Sequence, residues 1–179
     1  PEYGIPSVMT ADGPAGVRIA PEVGICTTAF PCSTLLACTW NPDVLEAVGR
    51  AGGEELKENN LALWLTPAIC IHRSPLCGRN FEYYSEDGFL SGKMSAYEVA
   101  AIQEKGVHVV MKHFALNDCE QDRIGLGVWL SEQAAREVYL KAFQDVFEEG
   151  NANGTMVAYT RWGCIWSGGN KGLMTGIMR

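Results

Sequence analysis

The sequence lacks the features that mark several large classes of protein. It has no cluster of Lys or Arg and carries a formal net charge of -7. We therefore expect no nucleic-acid partner, because phosphate binding depends on clustered cations. No apolar run approaches the roughly 20 residues of a membrane-spanning helix, so we expect no membrane partner. Gly13 and Gly16 make residues 12–18 rich in glycine, but the Lys-Ser/Thr pair of a phosphate-binding loop is missing.

The beginning of the chain, Pro1-Glu2-Tyr3, has neither an initiator Met nor the charged leader and apolar core of a signal peptide. We therefore expect a processed chain or an excerpt of something longer. No internal repeat, low-complexity segment or linker divides the sequence, so residues 1–179 are expected to belong to one domain. The apolar fraction of 47% and the charged fraction of 20% are those of a soluble globular protein.

None of the seven cysteines forms a C-x-x-C pair, and their odd number argues against a complete disulfide framework. Most lie in apolar, strand-like contexts, so we expect buried, reduced thiols, with metal or redox sites as the alternative. This favours a reducing compartment and predicts a cytoplasmic location, with secretion as the alternative. Asp118 and Glu120 are candidate metal ligands, but no His or Cys lies at matching spacing. We expect neither a metal nor a cofactor.

Short apolar runs alternate with longer amphipathic segments along the chain. Strands are expected at residues 61–67, 107–112 and 155–159, with weaker signals at 8–10 and 27–30. Helices are expected from Asn41 to about Asn60, at about 91–105, from Ser131 to Gly150, and from Lys171 onward. This alternation predicts a parallel sheet with right-handed crossovers. About five strand–helix units fit, whereas a closed barrel needs about eight. We therefore predict an α/β fold, an incomplete (β/α)8 TIM-type barrel.

Polar side chains follow nearly every expected strand. They are Asp12, Arg18, Arg79, Lys112, His113, Arg123 and Tyr159. Because the carboxyl ends of parallel strands meet at one face, we expect these groups to converge. Carboxylates that accept from adjacent hydroxyls, together with Lys and Arg donors, suit a neutral polyhydroxylated molecule. The sequence thus predicts a carbohydrate site, with Trp129, Trp162 and Trp166 either as its aromatic walls or as core residues.

The clustered carboxylates of Glu82, Glu86 and Asp87 have two interpretations. They could form a catalytic pair, or they could cap the following helix and pair with Arg79 or Arg73. Since carboxylates suit helix N-termini, we expect the second.

Four ordered motifs lie along the chain, and the similarity that they carry covers almost the whole chain. They are residues 12–18 (Asp-Gly-Pro-Ala-Gly-Val-Arg), residues 78–87, residues 112–118 followed by Glu120-x-x-Arg123, and Met156-x-x-Tyr159. In sequence and order they resemble the N-terminal (β/α)8-type barrel domain of glycoside hydrolase family 3, which includes many β-glucosidases. The N-acetylhexosaminidase branch carries a Gly-His-Gly/Asp segment where residues 115–118 stand here, which favours a glucosidase-like member.

The resemblance implies that the domain binds the sugar at the non-reducing end of a β-glucoside or oligosaccharide. Asp12 would accept hydrogen bonds from its far hydroxyls, braced by Arg18. Other implied substrate-binding residues are Arg79, Lys112 and His113 as donors near the cleaved bond, Arg123 as their support, Met156 in the pocket wall, and Tyr159 beside the nucleophile. The implied reaction is hydrolysis of terminal β-linked glucosyl residues with retention of configuration.

That reaction needs two carboxyl groups about 5–5.5 Å apart, and the resemblance provides neither within the chain. The nucleophile Asp is expected after Arg179, beyond a helix that corresponds to residues 173–179. The acid/base Glu lies on another domain in many members of the family. We therefore expect no catalytic residue in this segment, which alone would be inactive. Its expected partners are the remaining barrel and the C-terminal domains of a parent enzyme.

The sequence departs from the family pattern near Tyr159. Thr160 replaces a usual Asn, residues 161–164 replace an Asn-Gly segment, and Gly88 replaces a common Pro. These departures affect the loop after Tyr159 and the shape of the pocket entrance.

Two other functions fit part of the pattern. A non-catalytic sugar-binding or assembly protein could keep the pocket and lack the chemistry; a Ser/Thr-Asp motif within about twenty residues after Arg179 would favour the enzyme. A barrel enzyme of phosphorylated metabolites would bind phosphate through glycine-rich loops after its late strands, which are missing here.

Overall fold

The computed structural model describes residues 2–179 as short strands separated by helices. The strands are β1 (Thr10–Ala11), β2 (Leu63–Trp64), β3 (His108–Val109), β4 (Met111–Phe114), β5 (Gly127–Val128), β6 (Thr155–Val157), β7 (Arg161–Trp162) and β8 (Ile165–Trp166). The helices are α1 (Ser33–Ala37), α2 (Pro42–Glu58), α3 (Gly88–Gln103), α4 (Glu132–Ala134), α5 (Leu140–Glu148) and α6 (Lys171–Met174). A π-helical turn, Ala135–Tyr139, joins α4 to α5.

The strands that follow one another along the chain also lie side by side and run parallel. β1 pairs with β2 and β2 with β3, so that Leu63 lies between Thr10 and His108. β4 continues from β3 and pairs with β6, and a parallel bridge joins Ala68 to Lys112. A helix or helices separate successive parallel strands, as in the wall of a (β/α)8 barrel. The predicted fold, an incomplete barrel, is confirmed.

The longest helix, α2, packs closely on the sheet because Gly52 lies against β2. Pro42 occupies its first turn, and Asn41 caps it by accepting a hydrogen bond from the Asp43 N–H at 3.0 Å. A Cβ atom at Gly52 would lie 2.5 Å from the fully buried ring of Trp64 in β2. These contacts position β2, and with it the loops that follow β1 and β2.

Two expected elements differ in the structure. The weaker strand at residues 27–30 is wrong. That segment instead follows the loop after β1, where the Thr27 hydroxyl donates to the Val17 carbonyl at 2.7 Å and the Phe30 N–H to the Ala15 carbonyl at 2.9 Å. The last helix, expected from Lys171 onward, extends only to Met174.

A small sheet outside the barrel wall was not anticipated. In it, β5 pairs with β7 in parallel, and β7 pairs with β8 in antiparallel fashion. The departures from the family pattern after Tyr159 therefore build a β-hairpin, whose turn contains Gly163 with φ of 62°. Two-residue strands give little period-2 pattern, which is why the sequence did not indicate them.

All seven cysteines are free, but the expectation that most are buried is wrong. Only Cys70 and Cys77 are buried; Cys32 is half-buried, and the exposed thiols are those of Cys26, Cys38, Cys119 and Cys164. The exposed ones lie outside the parallel strands, so their apolar neighbours in sequence did not bring them into the core. Among the described residues, no helix is both long and apolar enough to cross a membrane.

A buried carboxyl group on α3 makes stability depend on pH. Burial raises the pKa of Glu98 from 4.5 to about 7, although the hydrogen bond from the Tyr84 hydroxyl opposes this rise. In the unfolded chain this carboxyl group loses its proton near pH 4.5, whereas the folded protein keeps the proton up to about pH 7. The free energy of unfolding therefore falls as the pH rises from 4.5 through about 7. We expect Glu98→Gln to raise the midpoint of thermal unfolding near pH 8 and to change it little near pH 4. Equal changes at both pH values would contradict this.

Candidate functional site

A polar cavity of about 480 Å³ opens beside the ends of β1 and β4. Of the eight residues predicted to bind substrate, those that line it are Asp12, Arg18, Arg79, Lys112 and Arg123. The other three lie around these: His113 follows Lys112, Met156 pairs with Lys112 across β4 and β6, and Tyr159 contacts Arg123. A further cavity of about 510 Å³ lies beside α5, with Phe114, Leu140 and Phe147 in its wall, and none of the eight residues lines it.

The loop after β1 brings Asp12 and Arg18 together, and it requires glycine at two positions. Gly13 and Gly16 have φ values of 106° and 135°, which side chains other than hydrogen disfavour. A Cβ at Gly13 would lie 2.0 Å from the Gly16 carbonyl, and one at Gly16 would lie 2.3 Å from the Thr28 carbonyl. The loop therefore folds back, and an antiparallel bridge joins Asp12 to Arg18.

Asp12 is held as an anion by three donors. The Lys112 ammonium and the Gly13 N–H donate to Oδ1, the latter at 2.8 Å, and Arg18 Nη2 donates to Oδ2 at 2.7 Å. Partial burial alone raises the pKa of Asp12, but the hydrogen bond from Lys112 and the other donors lower it below its usual value. Lys112 is only 2% exposed, so Asp12 is the counter-charge of a buried ammonium. The remaining lone pairs of the carboxylate can accept hydroxyl protons.

Two arginines at the cavity, Arg79 and Arg123, are joined through the Glu120 carboxylate. Arg79 Nη2 donates to Glu82 Oε2 at 3.0 Å, and its Nη1 lies 3.6 Å from Glu120 Oε1. Arg123 Nη1 donates to Glu120 Oε2 at 2.8 Å, and its guanidinium carbon lies 5.0 Å from the centroid of the Tyr159 ring. Each arginine has five N–H donors, so both retain N–H groups for a ligand.

Burial and the surrounding cations keep His113 neutral. The side chain is 6% exposed. Its burial, together with the positive charges of Arg79, Lys112 and Arg123, lowers the pKa of His113 to about 2. A neutral imidazole has one nitrogen donor and one nitrogen acceptor, so His113 can hydrogen-bond to a hydroxyl without adding charge to the site.

The comparison with protein families decides the classification. The model of the N-terminal domain of glycosyl hydrolase family 3 matches residues 2–179. The chain belongs to this family. β-Glucosidase A of Butyrivibrio fibrisolvens is 56% identical over 179 residues, which are 100% of this chain and 22% of that protein. The exo-alpha-(1->6)-L-arabinopyranosidase of Bifidobacterium longum is 37% identical, over 98% of this chain and 24% of that protein.

Solved structures lead to the same family. β-Glucosidase 3B of Thermotoga neapolitana in complex with alpha-D-glucose superposes with a TM-score of 0.95 at 42% identity, over 99% of this chain and 26% of that one. The chain therefore spans 22–26% of the length of these relatives. The resemblance to a β-glucosidase-like N-terminal domain of family 3 is confirmed.

Within this family 3 domain, two residues of the acidic cluster after Arg79 take the structural roles expected for them. Asp87 caps α3 by accepting from the Leu90 N–H at 2.8 Å, and Glu82 pairs with Arg79. Sequence reasoning did not place Glu82 and Glu120 in the site. The spacing of three residues in Arg79–Glu82 and in Glu120–Arg123 was the available signal, since such residues can pair within one turn.

The two candidate metal ligands of the 112–123 segment have other partners. Asp118 Oδ1 accepts from the Ile71 N–H at 2.9 Å, while Glu120 binds Arg123 and Asn117. Within residues 2–179 the structure has no group of three His, Cys, Asp or Glu side chains placed to hold a metal.

The three tryptophans considered as aromatic walls of the site lie at surface and partly buried positions. Trp129 is 77% exposed and Trp166 is 46% exposed, while Trp162 is half-buried against the core. Trp166 Nε1 donates to the carbonyl of Ala158, next to Tyr159, at 3.0 Å. The hairpin therefore presents aromatic surface near Tyr159.

Proposed function

We propose that residues 1–179 form part of the N-terminal barrel domain of a retaining β-glucosidase, and that they bind the glycone. The substrate is a β-glucoside or oligosaccharide, cleaved at its terminal non-reducing glucosyl residue. The observation that carries this proposal is the Asp12 carboxylate, which Lys112 and Arg18 hold as an anion at a cavity of about 480 Å³. Because Lys112 and Arg18 already pair with this carboxylate, it suits the hydroxyls of a neutral ligand better than a cationic ligand.

Each group at the cavity retains hydrogen-bonding capacity for a sugar. Lys112 uses one of its three N–H donors on Asp12. Asp12 accepts from two hydroxyls far from the cleaved bond, and Arg79 and His113 donate to hydroxyls nearer to it. Arg123 supports Arg79 through Glu120. Met156 and the exposed ring of Tyr159 complete the wall.

The two carboxyl groups of the chemical step come from outside this segment. The carboxylates that line the cavity, Asp12 and Glu82, are ion-paired with Lys112, Arg18 and Arg79. A nucleophile and a general acid/base need a free carboxylate and a carboxyl with a raised pKa. We propose that the nucleophile Asp follows Arg179 and that the acid/base Glu lies on another domain. The greater length of the relatives supports such partners.

The location of the protein stays a prediction. The free thiols of Cys26, Cys38, Cys119 and Cys164 are exposed, and exposed thiols persist best in a reducing compartment. This supports the cytoplasmic location.

The full-length protein is expected to hydrolyse an aryl β-D-glucoside and to release β-D-glucose first, which proton NMR of the anomeric signals detects. An aryl α-L-arabinopyranoside serves as the comparison substrate, because one relative is named for that activity. Release of α-D-glucose first would contradict retention, and preference for the arabinopyranoside would contradict the proposed glycone.

The polypeptide of residues 1–179 is expected to release no aryl alcohol above the rate in buffer, since it lacks the two carboxyl groups. Hydrolysis by this segment well above that rate would contradict the assignment. A full-length protein that binds glucose but cleaves neither substrate would instead support the non-catalytic sugar-binding alternative.

A further inference from the structure

A buried thiol lies directly behind the imidazole of His113. Cys70 is 3% exposed and lies beyond β2, in the segment that the Ala68–Lys112 bridge joins to β4. Its Sγ is 3.7 Å from His113 Nδ1 and accepts from the His113 backbone N–H at 3.4 Å. Within residues 2–179, Cys70 is the one side chain in hydrogen-bond contact with the ring, and that contact is to Nδ1.

This pair does not have the properties of a nucleophilic Cys–His pair. A nucleophilic thiol is accessible and has a lowered pKa. Here burial, with the negative charge of Asp118, raises the pKa of Cys70 well above its usual range. The pKa of His113 is lowered to about 2. Both groups are neutral, so the contact is a hydrogen bond between a thiol and an imidazole.

The direction of that hydrogen bond determines which ring nitrogen carries the proton. If the thiol donates to Nδ1, the proton of the neutral ring lies on Nε2. The sulfur accepts from the His113 backbone N–H, so its own proton can be donated. Two acceptors lie within reach of it, Nδ1 at 3.7 Å and the His113 carbonyl at 3.8 Å, and Nδ1 is the nearer. Nε2 is then a donor without a protein partner among the described side chains.

We propose that Cys70 is a positioning residue, whose thiol donates to His113 Nδ1 and thereby holds the imidazole as an Nε2–H donor toward a substrate hydroxyl. The substrate part rests on the proposed glycosidase function. This role differs from packing alone. A side chain of similar size that has no hydrogen-bond donor would preserve the packing at position 70 but not the hydrogen bond to Nδ1.

The test compares two variants of the full-length protein at position 70. Cys70→Ser retains a donor, and Cys70→Val retains bulk without one. We expect Cys70→Val to lower kcat/KM for an aryl β-glucoside about 3- to 10-fold, mainly through KM, and Cys70→Ser to lower it less than Cys70→Val does. Cys77→Ala is the matched control, because Cys77 is a buried thiol of the same small apolar cluster and should change kcat/KM less than about 2-fold.

A double-mutant cycle separates this proposal from the proposed function. Cys70→Val should have no further effect in a His113→Ala background, because the thiol acts through the ring. Equal losses for Cys70→Ser and Cys70→Val, or additive losses with His113→Ala, would overturn the positioning role. If His113→Ala itself leaves kcat/KM unchanged, the sugar-binding role of His113 fails instead. Thermal unfolding midpoints close to wild type verify that each variant is folded.

Discussion

Asp12→Asn in the full-length protein is expected to lower kcat/KM for an aryl β-glucoside by about 100- to 10,000-fold. Each hydrogen bond from a sugar hydroxyl to a charged acceptor contributes about 1.5–3 kcal/mol, and Asp12 is proposed to make two. The substitution also leaves the Lys112 ammonium, 2% exposed, without its carboxylate partner. Steady-state kinetics with the intact protein measure the effect.

Asp43→Asn is the matched control for this experiment. Asp43 is exposed in the first turn of α2 and has no contact with the cavity, so its variant should keep kcat/KM within about 2-fold of wild type. Thermal unfolding of both variants separates loss of structure from loss of binding. A folded Asp12→Asn protein with nearly wild-type kcat/KM would remove the central support for the glycone site.

Trp64→Ala is expected to lower the free energy of unfolding of this domain by about 3–5 kcal/mol. The Trp64 ring is 0% exposed and fills the space over Gly52, so truncation leaves a cavity between β2 and α2. Its Nε1–H also donates to the Asp12 carbonyl at 3.2 Å. Because that bond links the core to the site, we expect a raised KM as well. Urea unfolding and kinetics together check both expectations.

Trp129→Ala is the control variant for Trp64→Ala, because it removes an exposed tryptophan instead of a buried one. Trp129 is 77% exposed, so its loss should cost far less free energy than the loss of a buried ring. Equal destabilisation by the two substitutions would show that Trp64 does not organise the core.

Local signals in the sequence predicted the residues that cap three helices, although the helix expected at about 91–105 begins at Gly88. Asn41, Asp87 and Ser131 each cap a helix through a side-chain oxygen. Such caps depend on residues two or three positions away, and therefore the sequence alone reveals them. The interior of the helix expected from Ser131 to Gly150 was less predictable, because the π-helical turn Ala135–Tyr139 interrupts its regular apolar pattern. This turn packs against the start of α3, where a Cβ atom at Gly88 would lie only 2.2 Å from the Val138 carbonyl. The close approach therefore requires glycine at position 88.

The candidate site was predicted in composition but not in its contacts. Residues placed after successive strands were expected to meet, and five of them do line one cavity. The contact of Glu120 with Arg79, and that of the Cys70 thiol with His113, join residues far apart in the sequence, so no spacing specifies them. The strand predicted at residues 27–30 is wrong because the hydrogen bonds of this segment go to the loop after β1. A segment with β-branched and aromatic residues can hydrogen-bond to a loop instead of pairing in a sheet, as Thr27 and Phe30 do here.

The sequence by itself determined the family of this protein, because the motifs from Asp12 to Tyr159 are long and ordered. The tertiary structure decided which charges neutralise one another and which thiols are buried. Lys112 meets Asp12 across 100 positions of the chain, and Cys70 meets His113 across 43. Contacts at such separations form only when the strands pair side by side, so no local pattern records them.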